Sequence, residues 1–109
     1  MSLHEKKCVP CEGGTPPLTA EQEQGYLKEV DWELDTSGIH KIKKHFTFSN
    51  FKEAMGFVNR VAEIAETQQH HPDIYISYSN VFIELYTHAV TGLSENDFIM
   101  ASKISHTAQ

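Results

Sequence analysis

Glu66-Thr67-Gln68-Gln69-His70-His71-Pro72 is the stretch on which the reading of this chain turns, together with its echo at Thr87-His88. A helix is expected to end at the first and a strand at the second, bringing three imidazoles to one neighbourhood. Glu66 and His70 are four apart, so on a continuing helix they share a face and pair, the carboxylate orienting the ring. Pro72 denies His71 the helical region and sends the chain out extended. The two rings then diverge, one toward the helix and one along the new strand. By spacing alone, such a pair fits a solvated or structurally hydrogen-bonded site as well as a catalytic one.

Outward on the carboxyl side lie two strands, one carrying Ile74, Ile76 and Tyr78, the other Val81, Ile83 and Leu85, joined by Ser79-Asn80. With that two-residue loop 78 faces 81, 76 faces 83 and 74 faces 85, so the apolar sets share one sheet face. Carrying the register on sets His71 opposite His88, with Cβ atoms about 5 Å apart. Thr91-Gly92-Leu93 then turns the chain, and Ser94 with Asp97 forms the capping box of a last helix bearing Phe98, Ala101 and Ile104.

Outward on the amino side, Ser49 caps the longest helix, in which Phe51, Met55, Val58, Ala62 and Ala65 recur at steps of three and four and lay one face on a sheet. Gly56 inside it, about 1 kcal/mol worse than Ala, marks a close approach to another element. Trp32 and Leu34 alternate with Glu33 and Asp35 up to the turn at Thr36-Ser37-Gly38. Ile42, Phe46 and Phe48 then alternate with Lys41, Lys43, His45 and Thr47, completing a first hairpin with His40 and His45 on its surface. Thr19 with Gln22 caps a short helix running to about Val30. The order α-β-β-α-β-β-α defines an α+β domain: a four-stranded antiparallel sheet with three helices on one face.

A single domain of 109 residues buries a core that holds without disulfide staples. Its net charge of −6 leaves no Lys/Arg surplus to displace counterions from phosphates, which argues against a nucleic-acid binder. Lys41, Lys43 and Lys44 form the one basic cluster and read as a solvated strand face. With no apolar run of roughly 18 residues and no signal peptide at the amino terminus, a cytoplasmic protein is expected. Residues 1–17, rich in Pro and Gly, read as a flexible leader with little to bury, and 18–109 as the domain. Within the leader Cys8 and Cys11 make a lone C-x-x-C. A structural zinc needs two further ligands, of which His4 offers one, so an inert or weakly metal-binding tail is the reading.

Glu66-x-x-x-His70-His71-Pro72, followed by Tyr78, Val81, Thr87-His88, Gly92-Leu93-Ser94 and Asp97, closely resembles the pterin-4a-carbinolamine dehydratases. The resemblance covers about residues 18 to 105 and includes Phe46, Phe48, Phe51 and the run Val61 to Glu66. It implies that His70, His71 and His88 are catalytic. It further implies that Glu66, Gln69, Tyr86, Thr87, Ala89 and Asp97 belong to the substrate-binding set. Neither a metal nor a cofactor is implied. The substrate would be a 4a-hydroxytetrahydropterin, dehydrated in recycling the pterin of an aromatic amino acid hydroxylase, by a homodimer or homotetramer. The chain departs from animal members at Gln69 and Ala89, where those carry acidic residues, and at Ile74, where a Trp is common. The imidazoles are intact, so these changes bear on substrate detail rather than on the reaction.

Two other readings stand beside this one. A zinc-dependent hydrolase would use the three histidines as ligands, but the side chains of adjacent His70 and His71 point apart. A non-enzymatic dimerisation or interaction module of the same fold is compatible with the acidic surface.

Overall fold

A computed structural model, which describes residues 2–10 and 15–108, gathers three aromatic rings where the long helix meets the sheet. The Phe57 ring centroid stands 4.7 Å from that of Phe46 and 5.0 Å from that of Phe48. Around this contact the elements run α1 (Ala20–Leu27), β1 (Glu33–Asp35), β2 (Lys41–Thr47), α2 (Phe51–Gln68), β3 (Asp73–Ser77), β4 (Asn80–Leu85) and α3 (Glu95–Thr107). Short 3-10 turns occupy Leu3–Glu5 and His88–Val90. The strands lie in the order β1-β2-β4-β3 with every neighbouring pair antiparallel, so the two hairpins join through β2 and β4. This is the expected α-β-β-α-β-β-α arrangement.

One sheet face is the core. Ile42, Val81, Ile83 and Leu85 are fully buried there beneath α2 and α3, while Tyr75 and Phe82 on the other face remain exposed. Period-two alternation accounts for this division, since one face of each strand must be apolar and the other need not be. Trp32, at the approach to β1, donates its indole N–H to Ser105 Oγ at 2.9 Å and so ties the sheet edge to α3. The basic cluster of β2 is paired rather than merely solvated: Lys41 with Glu84 at 2.9 Å, Lys43 with Asp35 at 3.4 Å, Lys44 with Asp31 at 3.1 Å. His40 also has a partner, its Nδ1 lying 2.8 Å from Oε2 of the buried Glu23. No helix among the described residues is long and apolar enough to cross a membrane.

The buried stripe of α2 differs from the expected one. Ala54, Phe57, Val61 and Ala65 are buried, whereas Phe51 is half exposed and Ala62 is open to solvent. Both stripes have helical spacing; the one holding Phe57 wins because that ring completes the cluster with Phe46 and Phe48. The N-cap is Asn50 rather than Ser49, its Oδ1 accepting the Glu53 N–H at 2.9 Å. Gly56 makes no close approach to another element, for a Cβ there would meet only Arg60 of the same helix, at 3.7 Å. The close approach occurs at Gly92, where a Cβ would stand 2.9 Å from Pro17 Cβ.

The second hairpin turns at Tyr78-Ser79, one residue earlier than expected, so Ser77 pairs with Asn80, Ile76 with Val81 and Ile74 with Ile83. Asn80 is claimed as a ladder residue by β2, where it faces Thr47, and its Oδ1 lies 2.8 Å from His45 Nε2. Tyr78 therefore takes the turn with φ 54°. The partner of each residue moves by two positions, so the faces are preserved while every pairing changes.

The segment read as a flexible leader with little to bury lies against α3. Leu3 is 5% exposed, Lys103 Nζ donates to the His4 carbonyl at 2.8 Å, and the His4 ring stacks on His106 at 4.4 Å. Lys6 Nζ reaches Glu95 at 2.9 Å. Cys11 of the C-x-x-C lies outside the described residues.

At the end of β1, hydrogen bonds from the Ser37 hydroxyl and N–H, assisted by Lys43, hold the Asp35 carboxyl down at about 2. A depressed carboxyl stabilises the fold above its unfolded value near 4, and that contribution disappears as pH falls toward the folded value. Urea unfolding across a pH series should give a constant gap between wild type and Asp35→Asn from pH 7 to 5, closing between about pH 4 and 2.

Candidate active site

The site begins where α2 stops. Gln69 takes the left-handed conformation at φ 54° as the helix C-cap, and its Nε2 donates to the Glu66 carbonyl at 2.6 Å. This ends the helix two residues before His70, which therefore does not share a helical face with Glu66. The expected Glu66–His70 pair is replaced by two others. Glu66 Oε2 lies 2.5 Å from His71 Nε2, with both side chains more than half exposed. His70 turns inward, its Nε2 2.7 Å from Oδ1 of Asp97.

Asp97 is fully buried in the first turn of α3. Its Oδ2 accepts from the Thr87 hydroxyl at 2.8 Å and from the Ser94 N–H at 3.0 Å, the second being half of the expected capping box. Because the Thr87 hydrogen is committed to Asp97, the Ser94 hydroxyl donates to Thr87 Oγ1, 2.8 Å away. Thr87 N–H in turn donates to the Gly92 carbonyl at 2.8 Å. One carboxylate thus ties together the end of α2, the segment after β4 and the start of α3. A carboxylate offers only acceptors, so His70 Nε2 carries the hydrogen between them and Nδ1 is the ring nitrogen left over.

His88 is not on a strand. β4 ends at Leu85, and His88 opens the 3-10 turn that closes at Thr91. Its Nδ1 lies 3.2 Å from Tyr86 Oη with the rings 4.4 Å apart, which leaves Nε2 for other partners. With the register of β3 and β4 as found, residue 71 carried outward faces 86, so His71 and His88 are not opposed as expected. A cleft of about 660 Å³ nonetheless brings them together. Gln69, His70, His71, Tyr86, Thr87, His88 and Ala89 all line it, whereas Glu66 and Asp97 do not and instead contact His71 and His70, Glu66 from the exposed surface and Asp97 from the interior.

The cleft also has contributors that the sequence reading missed: Cys8, Val9, Pro10 and Asn96. The compact Cys8-Val9-Pro10 run was a local signal, set aside because the leader looked short of apolar residues. Asn96 offered none, standing between two capping residues. Among the described residues no three His, Cys, Asp or Glu side chains are placed to hold a metal ion together. What the arrangement supplies is imidazole, with one ring fixed by a buried carboxylate and two others near solvent, a set suited to moving protons at neutral pH.

A family model described as pterin 4 alpha carbinolamine dehydratase matches residues 16–107. A protein of Halorhodospira halophila, provisionally named pterin-4-alpha-carbinolamine dehydratase, is 47% identical over 105 residues, covering 95% of each chain. One of the same name from Methylococcus capsulatus is 47% identical over 108 residues, covering 98% of this chain and 94% of its own. A crystal structure described as a transcriptional coactivator/pterin dehydratase from Brucella melitensis superposes with a TM-score of 0.80 at 33% identity, covering 85% of this chain and 99% of that one. The chain belongs to the pterin-4-alpha-carbinolamine dehydratase family. A further structure, of a pterin dehydratase-like protein identified as a RuBisCO assembly factor in the alpha-carboxysome, shares the fold at a TM-score of 0.62 and 20% identity, over 71% of this chain and 88% of that one.

Removing the Asp97 carboxylate strands a buried hydroxyl, an N–H and the His70 ring at once. Asp97→Ala should therefore lower the free energy of unfolding by about 3 kcal/mol or more, whereas Glu66→Ala, on the exposed pair, should change it by less than about 1 kcal/mol. Urea denaturation of the two variants checks the contrast.

Proposed function

We propose that this protein dehydrates 4a-hydroxytetrahydropterins to quinonoid dihydropterins. In this reading it acts in the cytoplasm as a homodimer or homotetramer, recycling the pterin used by an aromatic amino acid hydroxylase. The observation that carries the reading is the buried Asp97–His70 pair opening onto the same cleft as His71 and His88. The reaction takes the proton from N5 of the pterin and breaks the C4a–O bond as the hydroxyl is protonated, so that water leaves. One base and one acid suffice, and no electrons are exchanged with another molecule.

The ring nitrogens divide this work. His70 has Nε2 committed to Asp97 and presents Nδ1; His88 has Nδ1 beside Tyr86 and presents Nε2. Each has one nitrogen engaged by a neighbour and the other turned to the cleft, the His70 tautomer being set by the acceptor-only Asp97 carboxylate, and the two come from different chain segments. Either is available to protonate a leaving hydroxyl, according to which face of the pterin carries it. His71, half exposed and held by Glu66, suits substrate binding. The carboxylate that orients His70 is thus Asp97, while Glu66, expected to orient that ring, holds His71.

A binding role without turnover is the second reading, favoured by the coactivator description of the Brucella relative and by the open sheet face carrying Tyr75 and Phe82. The deciding assay follows decay of an enzymatically generated 4a-carbinolamine with and without the protein. Acceleration should survive chelator treatment; loss on chelation with recovery on adding zinc, or no acceleration at all, would overturn the dehydratase reading. On separated 4a-stereoisomers, His70→Ala and His88→Ala should each lower kcat by about 10²-fold or more, each mainly for one isomer. Asp97→Asn should follow His70→Ala in its isomer preference with a smaller loss. His71→Ala and Glu66→Gln should raise KM more than they lower kcat.

A further inference from the structure

We propose that Asn96 is a positioning residue for the substrate: it fixes Cys8-Val9-Pro10 as a wall of the cleft, and the bound pterin packs against that wall. The inference rests on the dehydratase reading only in taking a pterin as the occupant of the cleft.

Asn96 stands one residue before Asp97 in the first turn of α3 and is 4% exposed. Its amide is used at both ends on a single residue of the amino-terminal segment. Oδ1 accepts the Val9 N–H at 3.0 Å, and Nδ2 donates to the Val9 carbonyl at 2.5 Å, as a neighbouring strand would. Gln68, in the last turn of α2, accepts the Cys8 N–H at 2.9 Å through Oε1. The two helix ends that aim His70 and Asp97 are thus the same two that hold the wall. Proton-transfer groups and wall share one rigid frame.

Anchoring the amino terminus does not by itself require this clamp. Leu3 in the core, Lys6 on Glu95 and Lys103 on the His4 carbonyl already hold the segment upstream. What the clamp adds is the placement of residues 8–10 at the cleft by their backbone, leaving Val9 64% exposed. Val9 and the Pro10 ring are the apolar surface a flat heteroaromatic ligand needs against its face, while the histidines supply the polar groups. The family match begins at residue 16, so the wall comes from chain outside the span the family model covers. Loss of the wall should weaken binding and leave the His70–Asp97 pair, and hence the chemical step, untouched.

The test measures binding of 7,8-dihydrobiopterin by calorimetry, and turnover of the 4a-carbinolamine, for wild type, Asn96→Ala, Val9→Asp and Lys6→Ala. Asn96→Ala should raise Kd and KM about fivefold to tenfold with kcat within about twofold, and should speed hydrogen exchange of the Val9 amide at least about tenfold. Val9→Asp, which leaves the clamp and the core in place, should raise Kd and KM by a similar factor even if Asn96→Ala folds poorly. Lys6→Ala should bind as wild type does. Unchanged Kd in both Asn96→Ala and Val9→Asp overturns the proposal, as does equal weakening in Lys6→Ala. A wild-type protein that binds the dihydropterin without accelerating dehydration overturns the dehydratase reading alone, the Kd comparison still deciding the wall. No dihydropterin binding by wild type overturns both.

Discussion

A single buried carboxylate holds the functional end of this molecule together. Asp97 accepts hydrogen bonds from the Ser94 backbone and the Thr87 hydroxyl and pairs with the His70 ring, with no surface exposed to water. A charged acceptor in such surroundings is tolerated only when its oxygens are satisfied, so its three partners are constrained as strictly as it is. That constraint joins folding to chemistry. The same contacts that let α3 begin under the sheet also decide which nitrogen of His70 is left over.

The sheet and helices were legible because burial imposes its period on the sequence. Ile42, Phe46, Val81, Ile83 and Leu85 sit on the core face that their alternation indicated. Where two alternatives had the same period, the sequence did not choose between them. The stripe through Phe51 and Met55 is as helical as the one through Phe57 and Val61, and only a cross-element contact with Phe46 and Phe48 selects the second. The hairpin loop behaves likewise, since Ser79-Asn80 and Tyr78-Ser79 give the same faces and differ only in what β2 demands of Asn80.

For the site, the histidines and the residues around them were legible and their partners were not. Glu66 and His70 have ideal helical spacing, but the helix stops at Gln68, so the carboxylate on His70 comes from a residue twenty-seven positions away. Asp97 was visible as a cap and as part of the family resemblance, while its contact with His70 depends on how two helix ends meet in space. The amino-terminal wall was missed for a related reason. Its residues are held through backbone N–H and carbonyl groups, which every residue possesses, and composition is blind to those.

Among the described residues three other than glycine have φ near 54°, and two of them bracket the histidines: Gln69 directly precedes His70, and Thr91 closes the turn that His88 opens. A left-handed conformation costs such residues about 1–2 kcal/mol each, which glycine would relieve. At Gln69 glycine would also remove a side chain that lines the cleft and bonds back to the Glu66 carbonyl. It would widen the range of backbone directions open to the unfolded and partly opened chain as well. The two turns therefore act as preloaded joints. They are less stable than they need be as pieces of chain, and better defined as mounts for the groups they carry.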